Sequence, residues 1–374
     1  MAIGIILQNR KNENNKKWSP FYRRAIEWVG KLDIIFIYCV LIFYRSKDRM
    51  MVILTKELLN MNIENNNKIA TRESYGKALA KLGENNQNVV VLDADLATAT
   101  KTIEFAKKFS DRFFDMGIAE QDMMGTAVGL ASFGKIPYVS TFAVFAAGRA
   151  YDQVRNSIAH TRANVKICAT HAGITVGEDG ATHQMLEDIN MMRCLPNMIV
   201  MSTSDDRQTK WAVNEISKIN GPVYLRLARV KTPEIYTDEN WKFEIGKGIQ
   251  IGDGIDATIF ATGVTVSESI KAQEALFHEG INVRVVDIHT IKPIDEELIV
   301  KCATETKNLI TVEDHSVIGG LGGAVEEVLC NKYPKKLVKM GIKDSFGESG
   351  KAEELMHKYE IDAEAIIKKV KELM

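Results

Sequence analysis

The feature that most constrains the fold is an alternation of short, β-branched apolar runs with helical patterns, which begins near Ile69. Runs of this length, separated by helix-length segments, predict strands joined by helices. Strands connected in this way lie parallel in one sheet with helices on its faces. The first group of predicted strands covers residues 88–92, 137–140, 165–170, 198–201 and 223–227, with predicted helices at residues 73–84, 118–131 and 148–160.

A polar segment at residues 230–241, which contains Pro233, separates this group from a second α/β unit, and we interpret it as a linker. The second unit has predicted strands at residues 257–261, 282–287 and 308–312, and predicted helices at residues 267–279 and 322–330. The sequence therefore predicts an α/β protein with two tandem doubly wound domains, each built on a mostly parallel sheet. We place the first domain at residues 67–240 and the second at residues 241–374.

Residues 1–66 differ from both units, and we expect this N-terminal extension to be poorly ordered. Asn, Lys and Arg dominate residues 9–17 and 45–49, and between them lies an uncharged run of 11 residues, 34–44. This run is too short to span a bilayer, which takes about 20 apolar residues. Two alternatives stay open, a membrane-surface anchor or a true translation start at or after Met50 and Met51.

The charge balance and the cysteines exclude several functional classes. With 48 Lys and Arg against 49 Asp and Glu, no overall field favours nucleic acid or an anionic membrane, and we expect neither as a partner. The five cysteines are widely spaced and form no C-x-x-C pair, so we predict neither a disulfide framework nor a zinc site. A reducing cytoplasm suits such a chain.

Polar and aromatic side chains follow the predicted strands, at the edge where open parallel sheets bind ligands. His171, one of them, also opens a glycine-rich loop that ends at His183. Each residue has an ordinary alternative, such as an aromatic ring in the core or an arginine on a solvated edge, but their common position favours one shared site. The side chains concerned are, in chain order, Asp93, Asp95, Phe142, Phe145, His171 and Arg229.

A carboxylate opens the otherwise apolar helix predicted at residues 118–131. Glu120 lies in its first turn and shares a face with Met123, Met124 and Ala127. A favourable interaction with the helix dipole would explain this position. A chemical role would explain it equally well, and the helical pattern alone does not choose between the two.

Five motifs together resemble the C-terminal half of transketolase. The resemblance runs from about residue 69 to the end of the chain, and the order and spacing of the motifs between Gly117 and Gln184 are highly specific. It implies a pyrimidine-binding domain followed by the transketolase C-terminal domain, with thiamine diphosphate as the cofactor. The motifs are Asp93-Ala-Asp-Leu96, Gly117-Ile-Ala-Glu-Gln121, Ser140-Thr-Phe-Ala-Val-Phe145, Gly177-Glu-Asp-Gly-Ala-Thr-His-Gln184 and Thr290-Ile-Lys-Pro-Ile-Asp295.

The resemblance implies a cofactor-binding role for four residues. Glu120 would bond a ring nitrogen of the aminopyrimidine and favour the imino tautomer that activates the cofactor. Phe142 and Phe145 would form the aromatic pocket around this ring, and Asp95 would lie near the cofactor. One departure from the family pattern concerns this pocket, because a third aromatic residue expected near Gly148 is absent.

The same resemblance implies a substrate-binding role for five residues. His183, with a catalytic role, and Asp179 match residues that contact the hydroxyl groups of the sugar. Arg72, His171 and Arg229 match residues that hold the phosphate group, for which guanidinium groups are well suited. A serine expected among the phosphate contacts is replaced by an alanine at position 99.

The resemblance also implies what this chain lacks. In the family, another domain holds the diphosphate and a divalent metal ion, magnesium or calcium, through a Gly-Asp-Gly motif. We interpret Gly252-Asp-Gly254, with Asn282 downstream, as a turn before a strand. We therefore predict no metal site in this chain and expect an N-terminal transketolase subunit to supply it, within a hetero-oligomer in which this chain also homodimerises.

The sequence thus favours the small, C-terminal subunit of a split transketolase, which transfers a two-carbon ketol unit between sugar phosphates. A subunit of an enzyme similar to deoxyxylulose-phosphate synthase is an alternative, and the β subunit of a 2-oxoacid dehydrogenase is a weaker one. From a different class, a non-catalytic regulatory remnant stays open. Glu120, His171 and His183 argue against a remnant, which has no chemical need for them.

Overall fold

The computed structural model describes the backbone of residues 43–46 and 49–52, and the full structure of residues 67–237 and 241–374. The chain divides into two units, Met1–Met61 and Asn62–Met374. In the first unit, β1 (Phe43–Ser46) and β2 (Arg49–Val52) form an antiparallel pair. We expect poor order, a membrane-surface anchor or a late translation start for residues 1–66. Apart from β1 and β2, these predictions concern residues that the structure does not describe. No described helix is long and apolar enough to cross a membrane.

The larger sheet of the second unit has seven strands: β4 (Val89–Asp93), β5 (Phe113–Asp115), β6 (Ile136–Phe142), β7 (Lys166–Thr170), β8 (Ile199–Ser202), β9 (Val223–Arg226) and β14 (Thr290–Lys292). Their order across the sheet is β14-β8-β9-β7-β6-β4-β5. All neighbours are parallel except β14, which is antiparallel to β8. A separate antiparallel pair joins β3 (Lys68–Ala70) to β10 (Lys231–Pro233), so part of the predicted linker is a strand.

Seven helices accompany these strands in the described residues: α1 (Thr71–Asn85), α2 (Ala97–Thr100), α3 (Ile103–Ala106), α4 (Glu120–Ser132), α5 (Tyr151–Gln153), α6 (Asp188–Arg193) and α7 (Asp206–Ile216). Two π-helical segments, Val144–Arg149 and Val154–Ala159, flank α5, and 3₁₀ turns occur at Ser110–Arg112 and Ile174–Val176. The helix predicted at residues 148–160 therefore starts earlier. A pattern based on 3.6 residues per turn does not detect π-helical turns.

Strand β4 shows why this sheet is buried on both faces. Val89 and Val91 belong to one apolar cluster with side chains of α1, whereas Val90 and Leu92 belong to another with Met123 of α4. Successive side chains of a strand point to opposite faces, so α1 and α4 cover opposite sides of the sheet. This arrangement accounts for the continuous apolar runs, which are typical of parallel strands buried on both faces.

The smaller sheet has five strands: β11 (Ile249–Ile251), β12 (Ala257–Ala261), β13 (Val283–Asp287), β15 (Asn308–Ser316) and β16 (Leu337–Ile342). Their order is β11-β13-β12-β15-β16, and β11 is the antiparallel member. The accompanying helices are α8 (Thr265–His278), α9 (Glu296–Glu305), α10 (Leu321–Lys332), α11 (Ala352–Lys358) and α12 (Ala363–Leu373). The predicted α/β fold with mostly parallel sheets is confirmed. Strand β14 lies after the predicted domain boundary near residue 240, but it belongs to the larger sheet, which is otherwise built from residues before that boundary.

Candidate active site

Four aromatic side chains meet at the carboxyl end of the larger sheet. Phe142 ends β6 and His171 follows β7, and because these neighbouring strands are parallel both side chains reach the same edge. The two rings stack with their centroids 3.8 Å apart. The Phe145 ring stacks on Phe142 at 5.9 Å, and His183 meets Phe145 edge-on at 5.7 Å. The fold thus brings together four residues that the sequence singled out.

Glu120 lies at the start of α4, and its carboxylate is enclosed. The residue is 2% exposed. Both of its carboxylate oxygens accept hydrogen bonds from Nη1 of Arg149, at 2.8 and 3.0 Å. The Arg149 guanidinium also lies over the Phe145 ring, with Cζ 4.4 Å from the ring centroid. One arginine therefore connects the buried carboxylate to the aromatic cluster.

Arg149 was not identified from the sequence. It belongs to the first π-helical segment, and its side chain is 47% exposed, so one side of the ion pair faces solvent. The available signal was its position four residues after Phe145 in a helical segment, a spacing that places two side chains on the same face. A buried carboxylate needs a partner of opposite charge or several hydrogen bonds, and Arg149 supplies both.

Arg72 and His171 form a direct polar contact beside the rings. Nη1 of Arg72, in the first turn of α1, lies 3.0 Å from Nε2 of His171 and donates to the Ala99 carbonyl at 3.0 Å. Because an arginine only donates, we assign Nε2 as the acceptor and place the proton on Nδ1, which lies 2.8 Å from the Thr170 hydroxyl. Burial, and then the charges of Arg72 and Arg229, lowers the pKa of His171 to about 3. His171 is therefore neutral near pH 7, and the positive charge belongs to the arginines.

The glycine loop, residues 172–184, carries the predicted sugar contacts and is held from one side by Arg229. This arginine follows β9 and donates to the Val176 carbonyl. Its Nη1 also lies 3.3 Å from Oε2 of Glu178 and 3.7 Å from Oδ2 of Asp179. Glu178 and Asp179 are exposed, and His183 is half-buried.

Three cationic side chains act on His171 at this end of the site, and one of them, Arg229, is paired with Glu178 and Asp179. The charges of Arg72, Arg229 and Lys101 all act on His171, and each lowers its pKa. In addition, Nε of Arg72 is buried and has no hydrogen-bond partner among the described residues. A buried donor without a partner is costly unless a ligand accepts its hydrogen bond. The arrangement suits an anionic group with several acceptor oxygens.

Asp93 and Asp95 have different environments. The Asp93 carboxylate is buried and accepts hydrogen bonds from the hydroxyls of Thr100 and Thr102 at 2.6 and 2.8 Å, and burial raises its pKa. Asp95 is exposed with φ of 59°, and its side chain makes no hydrogen bond or ion pair within the described residues. Asp93 therefore stabilises the turn after β4, whereas the side chain of Asp95 stays accessible to a ligand.

The residues at this edge fit the pyrimidine part of thiamine diphosphate. Flat ring faces and an enclosed carboxylate suit an aromatic ring with polar nitrogens. The Gly-Asp-Gly segment, residues 252–254, gives no comparable fit for the diphosphate. Gly254 lies in the connection from β11 to β12, where a Cβ would lie 2.3 Å from the Val283 backbone, and Asp253 accepts a hydrogen bond from Gln250. The Gly-Asp-Gly segment is thus a packed turn before a strand.

One group of side chains among the described residues has the spacing of metal ligands. It comprises His357, Asp362 and Glu364, whose ligand atoms lie within 4.8 Å of one another. These residues belong to α11 and the start of α12 rather than to the strand ends, and His357 is already paired with Asp362 at 2.7 Å.

Comparisons with known proteins identify the family. The family model described as "Transketolase, pyrimidine binding domain" matches residues 67–234, and the family model described as "Transketolase, C-terminal domain" matches residues 246–366. A protein of Methanocaldococcus jannaschii, named as a transketolase C-terminal section, is 52% identical over 305 residues, which cover 81% of this chain and 96% of that protein. The chain belongs to the transketolase family.

Other members of the transketolase family have the same extent. A Clostridium protein named 6-deoxy-6-sulfo-D-fructose transketolase subunit is 39% identical over 303 residues, which cover 81% of this chain and 94% of that protein. A solved structure described as a split gene transketolase, inactive β4 tetramer, is 50% identical with a TM-score of 0.76 and covers 82% of this chain and 98% of its own. These matches make the chain a C-terminal subunit of the transketolase family.

The predicted family is therefore confirmed, together with the fold. Transketolases in general depend on thiamine diphosphate. The roles of the individual site residues, the position of the metal ion and the division into domains near residue 240 stay predictions.

Proposed function

We propose that this chain is the C-terminal subunit of a thiamine diphosphate-dependent transketolase that transfers a two-carbon ketol unit between sugar phosphates. The observation that carries this proposal is Glu120, an enclosed carboxylate beside a cluster of aromatic rings at the ligand-binding edge of a parallel sheet. Favourable interaction with the helix dipole requires no such enclosure, because it is available to any exposed carboxylate in a first turn.

Three residues would bind the pyrimidine part of the cofactor. Glu120 would share a proton with a ring nitrogen of the aminopyrimidine and so favour the imino tautomer. Phe142 and Phe145 would offer their faces to the ring, and Asp95 would lie close by. Thiamine diphosphate, when bound, supplies the chemistry that breaks and forms the carbon–carbon bond.

The glycine loop and the arginines would bind the sugar phosphate. His183 and Asp179 would contact the sugar hydroxyls, and His183 would also accept or donate a proton during the transfer. Arg72 and Arg229 would bind the phosphate oxygens. His171 is neutral and accepts a hydrogen bond from Arg72, so it would orient that guanidinium rather than add a charge.

The chemistry of this end does not by itself distinguish phosphate from another oxyanion. The name of the Clostridium relative refers to a sulfonated sugar. Guanidinium groups bind the oxygens of either anion, so an assay should offer substrates that end in phosphate and in sulfonate.

A separate subunit would hold the diphosphate and a magnesium or calcium ion. We propose that the N-terminal subunit and two copies of the present chain form a cytoplasmic hetero-oligomer. In this assembly the two copies of the present chain also contact each other. Two observations support the proposal: the Gly-Asp-Gly segment is a packed turn, and a similar split-gene protein is described as inactive in its β4 form. All four cysteines in the described part of the chain are free, which suits a reducing compartment.

The test combines this chain with the separately encoded diphosphate-binding subunit, thiamine diphosphate and magnesium. Ketol transfer from a ketose phosphate to an aldose phosphate is expected in the mixture and not with either chain alone. Strong activity of this chain alone would contradict the split enzyme. A mixture that assembles and binds the cofactor but transfers no ketol unit would contradict the proposed reaction.

A further inference from the structure

The glycine loop that carries the predicted sugar contacts is anchored by the C-terminal part of the chain. We propose that Asp314, on β15, is a positioning residue for this loop, and through it for sugar binding; the proposal rests on the function proposed above. The smaller sheet would then take part in substrate recognition without touching the substrate.

Asp314 is connected to the base of the glycine loop by three hydrogen bonds. Its carboxylate accepts from the backbone N–H of Ile174 at 2.8 Å, and from the N–H and hydroxyl of Thr175 at 3.4 and 2.7 Å. Asp314 is 2% exposed, so these donors replace the water that bonds the carboxyl group in the unfolded chain. Backbone and side-chain donors of one short 3₁₀ turn thus converge on a single acidic group.

The approach of Asp314 is so close that only glycine fits opposite it. A Cβ on Gly173, whose φ is +82°, would lie 2.1 Å from Oδ2 of Asp314. Positive φ values recur at Gly177 and Gly180 of the same loop. Few other residues adopt this backbone conformation readily, and glycine loses the most conformational freedom when it is fixed. The loop therefore depends on tertiary contacts to hold its shape.

A second segment of the C-terminal part lies against the far side of the loop. Nε2 of Gln184 donates to the carbonyls of Ile174 and Gly177, both at 3.2 Å, and to the carbonyl of Glu348 at 2.8 Å. A Cβ on Gly180 would lie 2.5 Å from the Ser349 hydroxyl oxygen, and a Cβ on Gly347 would lie 1.9 Å from Oε1 of Gln184. The glycine loop and the segment at residues 347–349 therefore approach each other closely at Gly180 and Gly347.

These contacts fix the base of the loop and leave its tip accessible. Residues 172–177 are buried, whereas Glu178, Asp179, Ala181 and Thr182 are exposed. A ligand that binds to an already ordered tip does not have to supply the free energy of ordering it. Loss of the Asp314 anchor should therefore weaken sugar binding more than it slows the chemical step.

The test uses the assembled two-subunit enzyme and two variants. Asp314→Asn keeps the shape but replaces one acceptor oxygen with a donor, and Thr175→Val removes only the hydroxyl bond to Asp314. For each we expect KM for the sugar phosphates to rise roughly five- to tenfold, since one or two hydrogen bonds to a charged group are weakened. The affinity for thiamine diphosphate should change less than twofold, and the turnover number should fall by a smaller factor than KM rises, because His183 lies on the same loop. Thr175→Ser, which keeps the hydroxyl, should restore the original KM.

Asp287→Asn is the matched control. Asp287 is also a buried carboxylate on the smaller sheet, at the end of β13, and it accepts hydrogen bonds from Ser204, Gln208 and Tyr236 rather than from the glycine loop. It should lose stability without a rise in KM. An equal rise in KM for Asp287→Asn, or an unchanged KM for both test variants, would overturn the positioning role.

Hydrogen–deuterium exchange provides a readout that does not depend on activity. In Asp314→Asn, the amides of residues 173–180 should exchange faster than in the original chain, while those of α4 should be unaffected. Unchanged exchange in the loop would contradict the proposal even if the assembled enzyme proved to catalyse a different reaction. If the loop is released but no ketol transfer occurs in the unmodified enzyme, the proposed function fails and the anchor stands.

Discussion

At the cofactor end of the site, Glu120 and Arg149 are 29 residues apart, in two helical segments that are separated in the chain by one strand, β6. At the sugar end, Arg72 and His171 are 99 residues apart, and Thr175 and Asp314 are 139 apart. One end is therefore assembled from a short, continuous part of the chain, and the other from segments of both sheets. A change at the cofactor end should act locally, whereas a change at the sugar end should also disturb the geometry of neighbouring segments.

The largest expected effect lies at the cofactor end. Glu120→Gln keeps the size of the side chain but removes the carboxylate that would share a proton with the aminopyrimidine and so favour the imino tautomer. We expect the turnover number of the assembled enzyme to fall by about 100-fold or more, with normal folding, as for the loss of a general acid–base group. Steady-state kinetics and circular dichroism of the purified variant would measure the two quantities.

Asp122→Asn is the control for Glu120→Gln, because Asp122 lies in the same first turn but is exposed. It removes a negative charge that interacts with the same helix dipole. The turnover number should stay within about twofold of that of the original enzyme, because such surface interactions are weak. If both variants had equally small effects, Glu120 would merely stabilise α4 and the difference between the two ends would disappear.

A smaller effect is expected at the sugar end from Arg229→Ala. This change removes a charge-assisted bond to the substrate anion, so KM for phosphorylated sugars should rise roughly 10- to 100-fold. KM for an unphosphorylated acceptor should rise by a smaller factor, since for that acceptor only the contacts of Arg229 with the glycine loop are lost. Lys231→Ala removes an exposed positive charge two residues further along and should alter neither value. Equal effects of Arg229→Ala on both classes of acceptor would place the arginine outside the anion site.

The sugar end should also respond to pH through His171. Its pKa is about 3 in the folded chain, against an ordinary value near 6.5, so the unfolded chain binds more protons between these values. Stability from this residue is therefore complete above pH 6.5 and is lost as the pH falls towards 3, by up to about 1.4 kcal/mol per pH unit. His171→Gln should remove this contribution, and urea titrations of both chains at pH 7 and pH 5 would measure it.

The comparison between variants is essential for that measurement, because other buried groups titrate in the same range. His289 and His315 have pKa values lowered by burial to about 4 and act in the same direction as His171. Burial raises the pKa of Asp287 to about 6 and that of Glu313 to about 7, so both carboxyls act in the opposite direction. An identical pH dependence with and without His171 would contradict the neutral, buried state assigned to it.

The smallest effect is expected from Arg149→Gln. Because Arg149 is about half exposed, solvent screens its ion pair with Glu120, and the free energy of unfolding of the chain alone should fall by only about 1 kcal/mol. Arg155→Gln, at an exposed position of the second π-helical segment, should cause no measurable change. The same loss of stability in both variants would mean that the pair with Glu120 contributes nothing specific.

The difference between the two ends also explains how far the sequence could be interpreted. The strands, the parallel sheet and the positions of Phe142 and Phe145 follow from local patterns, because β-branched runs and the ends of strands are visible in the sequence. The placement of His171 and Arg229 at the same edge also follows from the ends of strands, whereas the position of Arg72 beside them was implied only by resemblance to a family. Asp314 lies between Glu313 and His315 at the polar end of β15, and no local pattern indicates that its carboxylate bonds a loop 139 residues away.

Strand β14 has a consequence for any attempt to divide this chain. It follows the end of the first predicted domain but completes the edge of the larger sheet, where Thr290 and Lys292 pair with Met201 and Val200 of β8. A fragment that ends between residues 237 and 241 would expose the free N–H and C=O groups of β8, and such edges promote aggregation. The two halves are therefore not interchangeable modules, and a chimaera that exchanges the second half should carry its own β14 in a matching register.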